Sequence, residues 1–470
     1  MATLTPFSPK NHSWPRAADF SRLFATLLPL LLFAYFLLGS AGCARDTRPE
    51  APDSVTGLTS GLGADATAES VAADESAADG PAEFARGLWV LAEGSERVLA
   101  DATRVSPLLD RAERLGATDL FVQVYRGGRA FYPAGPGIER AVEAEADVLA
   151  DLIARAQAKG LRVHAWVNVL SLSTRKDAAM IRDLGRDAIL VDRQGRSILD
   201  YPDFELPQPD RRYYRMGTRG IYLDPAHPAV RERIVMTYLD LITRYPELDG
   251  LHLDYIRHPG VLPFSPGSRF GVGLEFGYGA PSRARYRAET GRPDPIEGAK
   301  PGVVRGASAW DDWRRHQVTT LVEEIASVTR TARPGLVVSA AVIAYMDRAY
   351  LSLAQDWKGW LEAGSIDLAI PMVYTLDDRL LRYQLENYAG WPDAKRIWPG
   401  VGVWLFDDTP QRAVGQLEIL RRNGFSGEVL FSDDAIAKAS ILEAALAELP
   451  PSAARAERSQ GQALGYEARE

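Results

Sequence analysis

Apolar positions in this chain fall into two alternating patterns between residues 84 and 449. Short runs rich in β-branched and aromatic residues are followed by longer stretches with apolar positions at helical spacing. The strand-like runs are 86–92, 119–125, 161–168, 250–256, 336–343, 367–374, 396–404 and 427–432. Segment 147–160 shows the helical half of the repeat most clearly, with Asp147 at an N-cap position and Gly160 as the stop. Eight such repeats predict an α/β fold in which the strands close into a parallel (β/α)8 TIM barrel.

The fourth run, Leu248-Asp-Gly-Leu-His-Leu-Asp-Tyr-Ile-Arg-His-Pro259, carries the most chemistry. Strand alternation sends His252 and Asp254 to one side and Leu251, Leu253 and Tyr255 to the other. Gly250 lets the strand start close to its neighbours. Asp254, Tyr255 and Arg257 then fall at the carboxyl end, where barrels of this kind place their active sites. An aspartate there also serves as a turn former or as the partner of a nearby arginine.

The span 83–449 is well above the roughly 250 residues of a plain barrel. The surplus lies in long loops after strands three and four, at about 170–220 and 259–309. These loops hold Tyr201, Phe204, Tyr213, Tyr214, Phe264, Phe270, Phe276 and Tyr278, suited either to stack on sugars or to pack the loops down. The other strands end in Glu93, Gln123 with Arg126, His164 with Asn168, Tyr374, Trp404 and Asp433; Asp356 follows strand five, and Asp407 and Asp408 follow strand seven. Carboxylates, amides, tyrosine and arginine in a ring are what glycosidic chemistry uses. One carboxyl protonates the leaving oxygen and another attacks or activates water.

Composition narrows the partners. With 46% hydrophobic and 25% charged residues, the 470-residue chain can bury a large core. Its formal charge of -8 and lack of basic blocks argue against nucleic acid. HExxH, Walker and GxSxG motifs are absent, and the six histidines form no dense ligand set, so no metal and no cofactor is expected. Residues 1–43 combine Lys10, Arg16 and Arg22 with an apolar run over 23–38 and end at Cys43, the single cysteine. That layout is an export signal, and Cys43 resembles a bacterial lipoprotein's lipid-attachment cysteine. Ser40 stands where that motif usually has leucine, which leaves an uncleaved membrane anchor as the alternative. Ala44 is of the outer-membrane sorting type, so a protein tethered to the outer membrane and facing the periplasm is expected. Residues 44–82 read as a disordered acidic linker and 450–470 as a flexible tail.

The sequence resembles the bacterial glycoside hydrolase-like 10 family. The resemblance rests on Arg86-Gly-Leu-Trp-Val90, Phe121-Val-Gln-Val-Tyr-Arg126, Gly160-Leu-Arg-Val-His-Ala-Trp-Val-Asn168, Tyr222-Leu-Asp-Pro225, the strand ending Asp254-Tyr-Ile-Arg257, Gln355-Asp-Trp357 with Trp360, and Pro371-Met-Val-Tyr374. It implies a TIM-barrel lipoprotein that hydrolyses polysaccharide, with peptide-stripped peptidoglycan as one substrate. Asp254 is then the expected essential carboxylate. Glu93 and Asp356 lead as its partner, with Asp407 and Asp433 behind them; Asp356, just before Trp357, is equally placed to cap a helix. Substrate binding is expected at Gln123, Arg126, His164, Asn168, Tyr255, Arg257, Tyr374, Trp404 and Asp433. Two alternatives stay open, a glycan-binding lipoprotein without catalysis and an exopolysaccharide hydrolase.

Overall fold

Eight parallel strands form the centre of the computed structural model, which describes residues 84–142, 146–263, 274–300 and 302–449. The expected export signal with Cys43, the linker, the tail, Phe264 and Phe270 lie outside the described residues. The strands are β1 (Ala85–Val90), β2 (Asp119–Arg126), β3 (Arg162–Asn168), β4 (Gly250–Asp254), β5 (Val337–Ile343), β6 (Leu368–Met372), β7 (Gly400–Gly402) and β8 (Gly427–Phe431). Each pairs with the next, and β1 pairs with both β2 and β8, which closes the barrel. After each strand comes a covering helix: α1 (Val105–Arg114), α2 (Val148–Ala158), α3 (Pro228–Arg244), α4 (Ala307–Ala332), α5 (Trp357–Glu362), α6 (Asp378–Ala389), α7 (Pro410–Arg422) and α8 (Ser440–Ala447). The expected (β/α)8 barrel is therefore the observed one.

Strands buried on both faces read as nearly continuous apolar runs because each face meets a different core. Leu88, Val90, Leu120, Val122, Val163, Leu251, Leu253 and Val338 pack in the layer that includes the helices. Trp89, Phe121, Trp166, Ala341, Leu368, Ile370 and Val429 fill the lumen. Two glycines make room for this filling. A Cβ on Gly400 would lie 2.5 Å from Trp89 Cη2, and one on Gly250 would lie 2.1 Å from His164 Nδ1.

Strand ends differ from expectation where the backbone chemistry changes. β7 is three residues long rather than spanning 396–404, because Pro399 offers no N–H to a ladder and Val403–Phe406 turns into a 3-10 helix. β4 stops at Asp254 because Tyr255 adopts a left-handed φ of 52°. On α2, Asp147 accepts from Ala150 N at 3.1 Å, the capping its position predicted.

The segments after β3 and β4 are stitched together. Tyr214–Met216 and Val261–Pro263 form an antiparallel ribbon, and Asp192 bridges to Phe276. Tyr201, Phe276 and Tyr278 are buried within these segments, and the Tyr201 hydroxyl donates to Asp192 at 2.7 Å. These aromatics pack the loops down, while Tyr213 stays exposed.

Candidate active site

From the amino end of the strands upward, the lumen is layered. His164 Nε2 lies 2.8 Å from Asp119 Oδ1, and its ring stacks on Phe121 with centroids 4.6 Å apart. Burial opposes ionisation of Asp119, but hydrogen bonds from His164 and Arg162 bring its pKa down to about 2. Above this, Trp89 Nε1 donates to His252 Nε2 at 3.0 Å, and His252 Nδ1 lies 2.9 Å from Ser339 Oγ. An indole N–H only donates, so His252 Nε2 is an acceptor and its proton sits on Nδ1. Burial, with His164 alongside, holds His252 well below its ordinary range, and the imidazole is neutral.

Asp254 is at the top of this stack. It is paired in register with Asn168 on β3, its residue is 6% exposed, and both carboxylate oxygens accept hydrogen bonds. Tyr255 N donates to Oδ1 at 2.6 Å and Trp166 Nε1 to Oδ2 at 3.1 Å. Burial outweighs these bonds and the nearby Arg257 charge, and raises the carboxyl to about 6. A carboxyl there is poised to exchange a proton near neutrality.

Neighbouring strand ends complete one side of the mouth. Gln123 Oε1 accepts from Ala92 N at 3.3 Å, and its Nε2 donates to Asn168 Oδ1 at 3.1 Å. Gln123 thus braces the amide of Asn168 beside Asp254. Glu93 pairs with Arg126 at 2.9 Å and with Arg129. Tyr374 stacks on Phe431, and burial, with Asp254 and Tyr255 nearby, holds its phenol well above the ordinary range, so it is a neutral donor. A Cβ on Gly402 would lie 3.1 Å from both Tyr374 and Trp404 Nε1, so this glycine lets the two rings flank the strand end. Trp404 is 46% exposed.

A cavity of about 490 Å³ opens beside these residues, over the carboxyl ends of β5 and β6. Its wall includes Arg257, Gly260, Leu262, Tyr345, Arg348 and Met372. Arg257, three residues beyond Asp254, connects it to the strand end. The Arg257 guanidinium sits 4.8 Å from the Tyr255 ring centroid.

Asp254, Asn168, Gln123, Tyr255, Arg257, Tyr374, Trp404 and the Glu93–Arg126 pair therefore gather at the carboxyl ends of the strands. Four expected site residues take other places. His164 belongs to the lower lumen, where Asp119 and the absence of a side chain at Gly250 hold it. Asp433 is turned into the helix layer, where Arg111 of α1 binds both its oxygens at 2.7 and 2.8 Å. Asp356 caps α5, accepting from Gly359 N at 3.2 Å. Asp407 is exposed and accepts from Asp408 N.

Sequence reasoning passed over Trp166 as an Asp254 partner, although it shares strand parity with Asn168. It also passed over Arg129, Tyr345 and Arg348, for which no motif gives a signal. Among the described residues no three His, Cys, Asp or Glu side chains converge as metal ligands. No helix among them is long and apolar enough to cross a membrane.

Comparison with known proteins agrees with this arrangement. The family model described as glycosyl hydrolase-like 10 matches residues 85–404. Glycosyl hydrolase DigH of Escherichia coli (strain K12) is 24% identical over 296 residues, covering 57% of this chain and 56% of that protein. Glycosyl hydrolase YngK of Bacillus subtilis (strain 168) is 24% identical over 289 residues, covering 57% and 48%. The chain thus spans about half the length of the curated relatives it matches. A solved beta-galactosidase from Rahnella sp. R3 superimposes with a TM-score of 0.51 at 13% identity, over 79% of this chain and 57% of that one, which shows the shared barrel.

Proposed function

We propose, from the premise that this chain belongs to the glycosyl hydrolase-like 10 family, that it hydrolyses glycosidic bonds of cell-wall glycan strands, with peptide-stripped peptidoglycan as the substrate. The observation that carries the reading is the Asp254 carboxyl, buried at the end of β4 and raised to about 6. Asp254 protonates the leaving oxygen, since Glu93 is already engaged as acceptor to Arg126 and Arg129. Glu93 is the partner carboxylate, facing the oxocarbenium-like charge that develops as the bond breaks. β1 and β4 face each other across the lumen, as the Trp89 to His252 hydrogen bond between them records.

The flanking residues fit a sugar ligand. Asn168 and Tyr374 offer hydrogen bonds to ring substituents, and the exposed face of Trp404 offers a stacking surface. The amino-terminal apolar run and Cys43 fit a lipid tether that holds the barrel at the outer membrane, facing the periplasm. Labelling with a fatty-acid analogue, lost in Cys43→Ser, tests that anchor.

A second reading is a glycan-binding barrel without catalysis. It is favoured by the double ion pair on Glu93, which restricts the freedom of that carboxylate. Incubation of peptide-free glycan strands with wild-type protein and Asp254→Asn separates the two. Reducing ends released by the wild type alone support the hydrolase; binding without release supports the second reading; equal release by both removes Asp254 from the mechanism.

A further inference from the structure

The cavity over β5 and β6 has an unbalanced wall. Its guanidinium groups are Arg193, Arg196, Arg257 and Arg348, and its carboxyl groups are Asp192, Asp210 and Glu275. Arg196 binds both Asp192 and Asp210, and Arg193 donates to the Gly302 carbonyl. Arg257 and Arg348 enter no ion pair among the described residues. Arg348 lies against Tyr345, with its guanidinium carbon 4.9 Å from the ring centroid, and Arg257 against Tyr255.

Arg257 is the unusual group. It is 6% exposed, and its Nε has no hydrogen-bond partner. The Tyr222 and Tyr255 phenols and Asp254 lie near this guanidinium, yet burial with a partnerless Nε is still costly, and an anion entering the cavity lowers that cost. Guanidinium forks match carboxylates with two parallel hydrogen bonds, and the rings beneath them keep the planar groups oriented toward the cavity.

We infer that this cavity is a subsite for a carboxylate carried by the glycan, bound by Arg257 and Arg348 next to the bond that Asp254 acts on. The inference rests on the proposed hydrolase reading for its ligand class and deepens it: the favoured substrate is an acidic polysaccharide. The carboxylate belongs either to a uronic acid ring or to a lactyl ether arm, and the two are separable by experiment.

Isothermal titration calorimetry on the full chain tests this with four tetrasaccharides. They are the peptide-free alternating N-acetylglucosamine and N-acetylmuramic acid tetramer, its methyl ester, tetragalacturonate, and chitotetraose as the neutral reference. The wild type is expected to bind a free acid about tenfold more tightly than its neutral counterpart, the scale of one charge-assisted hydrogen-bonded pair. That preference disappears in Arg348→Ala and Arg257→Gln. Because Arg257 is buried, Arg348→Ala carries the test if the other variant does not fold. Tighter binding of the lactyl tetramer than of tetragalacturonate identifies the arm, and the reverse order identifies the ring. Equal affinity for acid and ester, or a preference that survives both substitutions, overturns the subsite. Binding is read independently of cleavage, so acid preference without reducing-end release rejects the hydrolase while leaving the subsite standing.

Discussion

The indole of Trp166 donates to Asp254 Oδ2 across adjacent strands at 3.1 Å, joining the lumen filling to the carboxyl at the mouth. That bond favours the ionised form and works against the burial that raises Asp254 to about 6. Trp166→Phe removes it while keeping most of the ring. The expected result is a further rise of about one pH unit in the limb at which kcat/KM declines with increasing pH, together with a lower kcat. A limb that stays in place would falsify the assignment of that limb to Asp254.

Asp254→Asn is expected to abolish glycan cleavage and to stabilise the fold. The folded carboxyl titrates at about 6, above the reference value of 3.8, so the folded state holds its proton more tightly between those pH values. The carboxylate therefore weakens the fold as pH rises through that window, by up to about 3 kcal/mol above it. The amide loses one of the two hydrogen bonds accepted now, which reduces the gain. Thermal melts should show the variant ahead at about pH 8 and level with the wild type at about pH 3. A variant less stable at both pH values counts against the raised carboxyl.

Asp433 ties α1 to the barrel through its ion pair with Arg111. Asp433→Ala leaves the buried Arg111 guanidinium with only the looser Glu96 pair at 3.7 Å, with an expected loss of about 3 kcal/mol. Urea unfolding measures the loss, and the surviving folded protein should bind glycan with unchanged affinity. Weakened glycan binding with unaltered stability would return Asp433 to the site.

Trp404 gives the opposite pattern. Its ring is largely outside the core, so Trp404→Ala should leave the melting temperature nearly unchanged. Glycan affinity should fall by about tenfold, the loss of about 1.5 kcal/mol from one aromatic platform. Calorimetric titration with a neutral oligosaccharide isolates this effect from that of the arginine-lined cavity.

The barrel was legible because its strands are buried on both faces and its helices on one, which stamps two different periods on the sequence. Asp254 was legible because strand alternation and its position at the end of β4 both point it into the mouth. Asp433 was misplaced for a physical reason: its partner Arg111 lies on a helix early in the chain, and no local pattern records that pairing. His164 has the parity of Asn168 but sits four residues earlier, one layer down, and parity alone carries no height. Asp356 has a sequence setting compatible with both a cap and a carboxyl at the mouth, and only the Gly359 amide distinguishes them. The cavity wall draws on residues from both long segments and from 343–353, which only closure of the barrel brings together.

On the proposed hydrolase reading, the filled lumen also bears on how Asp254 regains its proton after a turnover. Beneath it are rings and a neutral imidazole whose one proton is committed to Ser339, so the described side chains form no proton relay running up from the barrel floor. Each new proton must enter from the mouth, along the path that substrate and product occupy. Departure of product and reloading of the acid are then successive uses of one doorway, and a glycan that lingers there delays both.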